Sequence, residues 1–348
     1  MSTPDTATAP PVQTLDDASL ATLYATRIQP QLITFEAERI SAMRQFWTRL
    51  LIGAPIVLVI AGLIGSFLDG GWAMGLGVFG LVAVGAFAYA PLDAVSKRAK
   101  VAVLNAIGAA LGIQYQLDGF DPPGFARFCD LDLLPNHDRS STEDLFAGVR
   151  SGCDFALYDA HLERQQRDSK GNTTWVTCFR GSLIRLSFPQ RFLGTTVVRR
   201  DAGLLNVFHP KGGLQRVGLV DSRFERTFEV YGTDQVEARF LVHPVFMEKL
   251  LALETAFHGG KIRCAFEAGD LIVAVEGKDR FEIGGMFSSL AKPERVKAMA
   301  DDVTTVMGLI DTVLAGPPPA YQAEIAAARA QIAAGEAGAP TPPPPTAG

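Results

Sequence analysis

LLIGAPIVLVIAGLIGSFL (residues 50–68) and GGWAMGLGVFGLVAVGAFAYAPL (residues 70–92) carry no charged side chain, and only Asp69 stands between them. A helix rises about 1.5 Å per residue and a bilayer core is roughly 30 Å thick, so each run is long enough to span. Length and lack of charge favour a transmembrane helical hairpin over 50–92 rather than a buried helical pair in a soluble protein.

The flanks orient that hairpin. Arg39, Arg44 and Arg49 precede the first run and Lys97, Arg98 and Lys100 follow the second, while the turn Asp69-Gly70-Gly71 has no cation. Cations of short loops stay on the cytoplasmic side, so both termini are expected inside, with the chain in an inner (plasma) membrane. Trp47 and Trp72 mark the two edges of the first span, where indole rings are favoured. Ala61 with Gly65, and Gly71 with Gly75, are small pairs at i,i+4 that predict close packing of the hairpin against itself. The acidic start MSTPDTATAPPVQTLDD has no apolar core and does not read as a secretory signal.

Around the hairpin the chain divides by composition. Residues 1–14 are rich in Pro, Thr and Ala and predict disorder. Residues 15–49 form a polar helix with a kink expected at Pro30, and 93–111 continue the second span as a stalk helix. Residues 112–315 make one α+β domain, and 316–348 a Pro/Ala-rich tail that cannot bury a core. Four widely spaced cysteines, Cys129, Cys153, Cys178 and Cys264, form no C-x-x-C pair, which argues against a zinc ribbon or redox motif. They read as reduced thiols of a cytosolic domain.

Strands show by alternation. Cys153, Phe155 and Leu157 open a run to Gln165, RDSKGN turns it, and Trp175, Thr177 and Phe179 begin a return to Phe188. Shorter strands are expected at 195–198, 214–220 and 224–231, and a second hairpin pairs Ile262, Cys264 and Phe266 with Leu271, Val273 and Val275. One helix starts near Pro244 and carries Phe246, Leu250, Leu253 and Phe257 on one face. Another carries Val296, Met299, Val303, Val306, Ile310 and Val313, a single apolar stripe expected to close the sheet's open face. The class is α+β: an antiparallel sheet with packed helices, of which a pleckstrin-homology-like sheet plugged by a C-terminal helix is one topology.

The blocks YGTDQVEARFLVHPVFMEKLLAL (231–253), EDLFAGVRSGCDFALYDAHLERQ and KGNTTWVTCFRGSLIRLSF resemble a bacterial two-pass membrane family, the domain of unknown function 3137. The resemblance runs over about residues 15–315 and implies the same order: helix, two adjacent spans, soluble domain. It implies no activity, and no catalytic residue carries over from it.

Within the soluble domain the most suggestive string is Asp234, Gln235, Glu237 and Arg239, a candidate ligand-contacting set. Its plainer reading is a helix start, with Asp234 accepting from free N–H groups and Glu237 reaching back. His161 and Glu163 share a strand face and could be joined by His209 or His243, but the spacing lacks any established metal pattern. No G-x-S-x-G elbow, phosphate loop or dinucleotide fingerprint is present, so neither catalytic residues nor a cofactor is assigned. Gly212-Gly213 and Gly284-Gly285 read as turns.

Charge is distributed unevenly. The chain is −5 overall, yet residues 180–226 hold nine cations against three anions. Among them Arg199, Arg200, Arg216 and Arg223 are candidates for a surface facing anionic lipid or an acidic partner, with about 1 kcal/mol per well-placed cation. No aromatic recognition motif accompanies them, so nucleic acid is not expected. The bilayer is the expected partner, with a protein or anionic lipid beside it; a homo-oligomer is left open. The resulting expectation is a membrane-anchored binding or scaffold module. Its rival is a membrane-tethered hydrolase or transferase using acidic residues and His161. Two spans without an ionisable residue offer no transport pathway.

Overall fold

The computed structural model describes residues 15–67, 70–150, 152–167, 171–188, 191–200, 212–219, 221–256, 260–278, 281–283, 288–290 and 292–315, with Ala323 and Ala327. The expectations for residues 1–14, Asp69, 168–170, His209, Lys211, Phe257, Gly284-Gly285 and the tail, save those two alanines, lie outside the described residues. So does the outer end of the apolar stripe, at the Val313 side chain.

Helices α1 (Asp17–Leu23), α2 (Gln29–Phe67) and α3 (Gly70–Leu111) are followed by β1 (Gln114–Gln116), α4 (Phe125–Asp130), β2 (Arg139–Arg150), β3 (Cys153–Arg167) and β4 (Thr173–Ser187). Then come β5 (Thr196–Arg200), β6 (Gln215–Val217), α5 (Ser222–Glu225), β7 (Phe228–Gly232), α6 (Gln235–Leu241), α7 (Pro244–Ala256), β8 (Ile262–Glu267), β9 (Asp270–Glu276) and α8 (Pro293–Ala315). The chain forms two compact units, one of residues up to Leu117 with Arg280–Asp301, the other of Asp118–Asp279 with residues from Asp302.

In the first unit, α2 and α3 are long and apolar enough to cross a membrane. Helix is maintained through Pro30: a π-helical turn, Tyr24–Ile28, comes just before it, and the Gln29 N–H reaches back to the Tyr24 carbonyl. The expected kink therefore takes the form of one widened turn, which absorbs an extra residue without breaking the helix. The seam between α2 and α3 uses other glycines than the sequence suggested. A Cβ on Gly53 would press into Val84, and one on Gly80 into Val57; one on Gly77 would come 3.2 Å from the Ala61 Cβ, whereas Gly71 and Gly75 face nothing within 4 Å. Spacing of small residues marks several possible seams, and the bulk of Val57 and Val84 opposite decides which is used. Arg49 donates to the Phe87 carbonyl at 3.2 Å and lies over its ring, linking the helices where the uncharged run begins.

The second unit is α+β. Its sheet runs β2-β3-β4-β9-β8-β5-β7-β6 and is open and antiparallel. One core gathers Tyr158, Leu162, Phe179, Leu183, Val197, Ala265 and Ile272 from the strands with Phe128, Leu133 and Leu134 from α4 and the segment after it. Tyr158 is fully buried and its hydroxyl donates to the Pro123 carbonyl at 3.2 Å, fastening the approach to α4. Phe246, Leu250 and Leu253 of α7 and Val303, Val306 and Ile310 of α8 are buried, and Arg150 at the end of β2 grips Asp311 of α8.

One strand expectation is corrected. The stretch 224–231 is not a single strand: Asp221 accepts from the Arg223 and Phe224 N–H groups and starts the one-turn helix α5 before β7. Phe224 and Phe228, four apart, are both buried and stack at 4.9 Å, a spacing that fits helix and strand periods equally.

Candidate functional site

Asp234 is the N-cap of α6 and accepts from Val236 N at 2.9 Å and Glu237 N at 2.8 Å. Glu237 is buried, but it does not complete a capping box: its two carboxylate oxygens each take a backbone N–H, from Leu193 and Gly194, both at 2.7 Å. The chain leading into β5 passes close enough to compete for that carboxylate and supplies two donors rather than one. Gln235 donates to the Arg216 carbonyl at 3.4 Å, and Arg239 donates to the carbonyls of Gly218 at 3.2 Å and Gln235 at 3.1 Å. The four side chains thus share one helix start, and their polar atoms are turned onto the backbone of neighbouring segments. What this arrangement does chemically is hold two loops to α6.

The four arginines do not form one surface. Arg199 and Arg200 are consecutive on β5, so they point to opposite faces of the sheet. Arg199 lies in register between Glu229 on β7 and Arg263 on β8, and burial, then the neighbouring Arg263, lowers its pKa. Arg200 pairs with Glu254. Arg216 stands 3.5 Å from Glu229, and Arg223 is exposed on α5.

His161 on β3 meets the Thr177 hydroxyl at 2.8 Å. The cavity beside it, lined by Glu143, Asp159, Arg180 and Lys278, has a volume of about 10 Å³, which is room for a single water. His243 is elsewhere and buried; its Nδ1 accepts from Phe246 N at 3.3 Å, and burial lowers its pKa. Among the described residues no three His, Cys, Asp or Glu side chains gather as a metal-binding group. Burial raises the pKa of the Cys129, Cys153 and Cys264 thiols, the opposite of what a thiolate nucleophile needs.

Three features go beyond the sequence reading. Asp270, buried at the start of β9, accepts from both Arg127 and Arg185, and Arg127 also reaches Glu267 at 2.9 Å. These partners are separated by up to 143 residues: the pairing of β4 with β9 sets Arg185 beside Asp270, and the packing of α4 on the core brings Arg127. A cavity of about 190 Å³ lies beside them, lined by Val197, Leu131 and Leu214 together with Asp130, Asp132 and Glu267. The third is an arm. β3 and β4 stay paired from Arg164↔Val176 to Arg167↔Thr173, beyond β2, which pairs with β3 only up to Glu163, and beyond β9, which pairs with β4 only from Gly181. Both faces of this arm are exposed, Trp175 included, and Arg139 stacks on that indole at 4.1 Å.

The geometry defines an α+β domain in a chain that also carries two long apolar helices. Residues 177–314 match the family model described as a protein of unknown function, DUF3137, over less than half of the chain. Comparison with curated proteins gives no match. Among solved structures, the mycobacterial trehalose monomycolate transport factor A aligns at 11% identity with a TM-score of 0.30, covering 61% of this chain and 96% of that one; at that score the likeness carries no argument.

Proposed function

We propose that this chain is a two-pass protein of a bacterial inner membrane, with residues 50–92 in the bilayer and both termini cytoplasmic, whose α+β domain is a binding or scaffold module for a protein partner or an anionic lipid head group. The observation that carries the membrane part is the exposure of apolar side chains along both helices away from their seam: Leu51, Ile56, Val59, Leu63, Met74, Phe79, Val82 and Phe87 are each more than half exposed. An uncovered apolar surface of that extent marks an interaction with lipid or protein, and the absence of charge along it favours lipid.

Binding is preferred to catalysis at His161 and at the start of α6 because His161 borders a space of one water, while Asp234, Glu237 and Arg239 are occupied with backbone groups. A reacting site needs convergent polar groups around room for a substrate.

Fusion of the intact chain to alkaline phosphatase, active only outside the cytoplasm, tests the topology. Fusion at Gly348 is expected to be inactive and insertion at Gly70 active; activity at Gly348 would overturn the orientation. The module reading is tested with the full chain in detergent, by retention on vesicles of anionic against neutral lipid and by co-purification of proteins from its own membranes. Neither retention nor a co-purifying protein would remove it.

A further inference from the structure

We infer that the free edge of β4, from Thr173 to Thr177, is a docking edge for an extended acidic peptide segment of a partner protein, which adds to the sheet as a further strand. The inference rests on the binding-module reading and deepens it by naming a surface and an occupant.

The edge is open by construction. β9 covers β4 from Gly181 to Ser187, and among the described residues no strand pairs with Thr173–Thr177 on the side away from β3. In a strand, alternate residues turn their N–H and C=O to opposite sides, so among the described residues this edge presents donors and acceptors without a strand partner over about 17 Å. A bulge at Cys178, the extra residue between Leu162↔Phe179 and Glu163↔Thr177, closes the open stretch at its inner end.

Its composition suits pairing. TTWVT (173–177) is made of β-branched and aromatic residues with strong strand preference. It lacks the Pro, Lys or inward charge by which exposed edges are usually blunted. Trp175 and Val176 are each 43% exposed, and they offer apolar contact on the two faces that a new strand would extend. Added strands bind through the main chain, with alternate side chains giving specificity.

Charge selects the occupant. The arm carries Arg164 and Arg167, both exposed on β3 one strand in from the edge, and Arg139 over Trp175; among the described residues its anions are Glu163, held by Arg139 at 2.6 Å, and Asp138, whose carboxylate accepts from the Gln165 N–H at 2.7 Å on the β3 side away from β4. A second copy of the chain, paired edge to edge, would bring two such cationic arms together. An acidic strand on β4 would lie two strand spacings, about 10 Å, from the β3 backbone that carries Arg164 and Arg167, a distance their long side chains shorten from the two faces of the arm, so that opposite charge is attracted and like charge repelled.

The test uses the full chain in detergent micelles and a fluorescent, end-blocked peptide of alternating valine and glutamate, read by anisotropy. Binding is expected, about tenfold weaker or worse for the valine/lysine peptide and for a valine/glutamate peptide N-methylated at alternate amides, which cannot complete the ladder. Arg164→Glu with Arg167→Glu, both on exposed sites, is expected to invert the preference between the two charged peptides.

No binding of the valine/glutamate peptide, equal binding of the N-methylated form, or an unchanged preference in the double variant would each overturn the proposal. Self-association of the chain that the peptide competes away would overturn it in favour of a second copy. Vesicle retention or a co-purifying protein without peptide binding would remove this edge and leave the module reading standing; loss of all of these would remove both.

Discussion

Asp234 and Glu237 stand one helical turn apart and face opposite ways: the Glu237 amide donates to Asp234 Oδ1 at 2.8 Å, while the Glu237 carboxylate holds the amides of Leu193 and Gly194. The first is a cap and the second a clamp, and their truncations should cost different amounts. Asp234→Ala removes an N-cap and should destabilise by about 1 kcal/mol. Glu237→Ala leaves two backbone donors without an acceptor in a buried site, at about 1–3 kcal/mol each. Chemical denaturation of the full chain in detergent, followed by circular dichroism, should rank Glu237→Ala well below Asp234→Ala, with Glu237→Gln between them. Equal midpoints would show that Leu193 and Gly194 find water instead.

The parts of the fold that were legible are those whose signal is local. Absence of charge marked the apolar helices, and alternation marked β3, β4, β8 and β9. β2 was missed because its burial changes phase: a register shift between Glu143 and Phe146, with Asp144 in the left-handed region, breaks the two-residue period. α5 was read as strand because Phe224 and Phe228 satisfy both periods. The Asp234 cap was readable from its spacing, but the destination of the Glu237 carboxylate was not, since Leu193 lies 44 residues away in the chain. Nor could counting cations foresee that Arg199 and Arg200 would divide between two faces.

Among the described residues Asp270 is the carboxylate shared by Arg127 and Arg185, and it is itself buried. Removing it leaves both guanidiniums short of a partner, although Arg127 keeps Glu267. Loss of one member of a buried charge cluster costs about 3–5 kcal/mol. Since the Arg127 and Arg185 side chains are 27% and 32% exposed, Asp270→Ala should fall at the low end. Arg127→Ala should cost less, because Asp270 retains Arg185. A melting curve for Asp270→Ala that overlays the wild type would mean that solvent carries these charges.

The seam between α2 and α3 makes a prediction of geometry. A Cβ on Gly77 would lie 3.2 Å from that of Ala61, close to the separation a disulfide requires. Ala61→Cys with Gly77→Cys should therefore crosslink within one chain on mild oxidation in membranes. Adding Gly80→Leu, which drives a large side chain into Val57, should suppress the crosslink, whereas Gly71→Leu should leave it intact. Crosslinking that is indifferent to Gly80→Leu would place the seam elsewhere on the two helices.

His243 supplies the pH dependence. It precedes α7 at the N-cap position, is 2% exposed, and its Nδ1 accepts the Phe246 N–H, so the folded protein requires the neutral ring with the proton assigned to Nε2. Burial lowers its pKa below the ordinary 6.5. The unfolded chain then takes up a proton at higher pH than the folded one. The stabilising contribution is therefore complete above about pH 6.5 and is lost progressively as pH falls below it. His243→Asn should keep an acceptor for Phe246, since Asn is a favoured N-cap, while removing the titrating ring. The variant is expected to melt lower than the wild type at pH 7.5, from lost packing, and to show a shallower fall between pH 7 and 5.5, above the range where carboxylates titrate. Parallel melting profiles for the two proteins across that window would assign the acid sensitivity to another histidine.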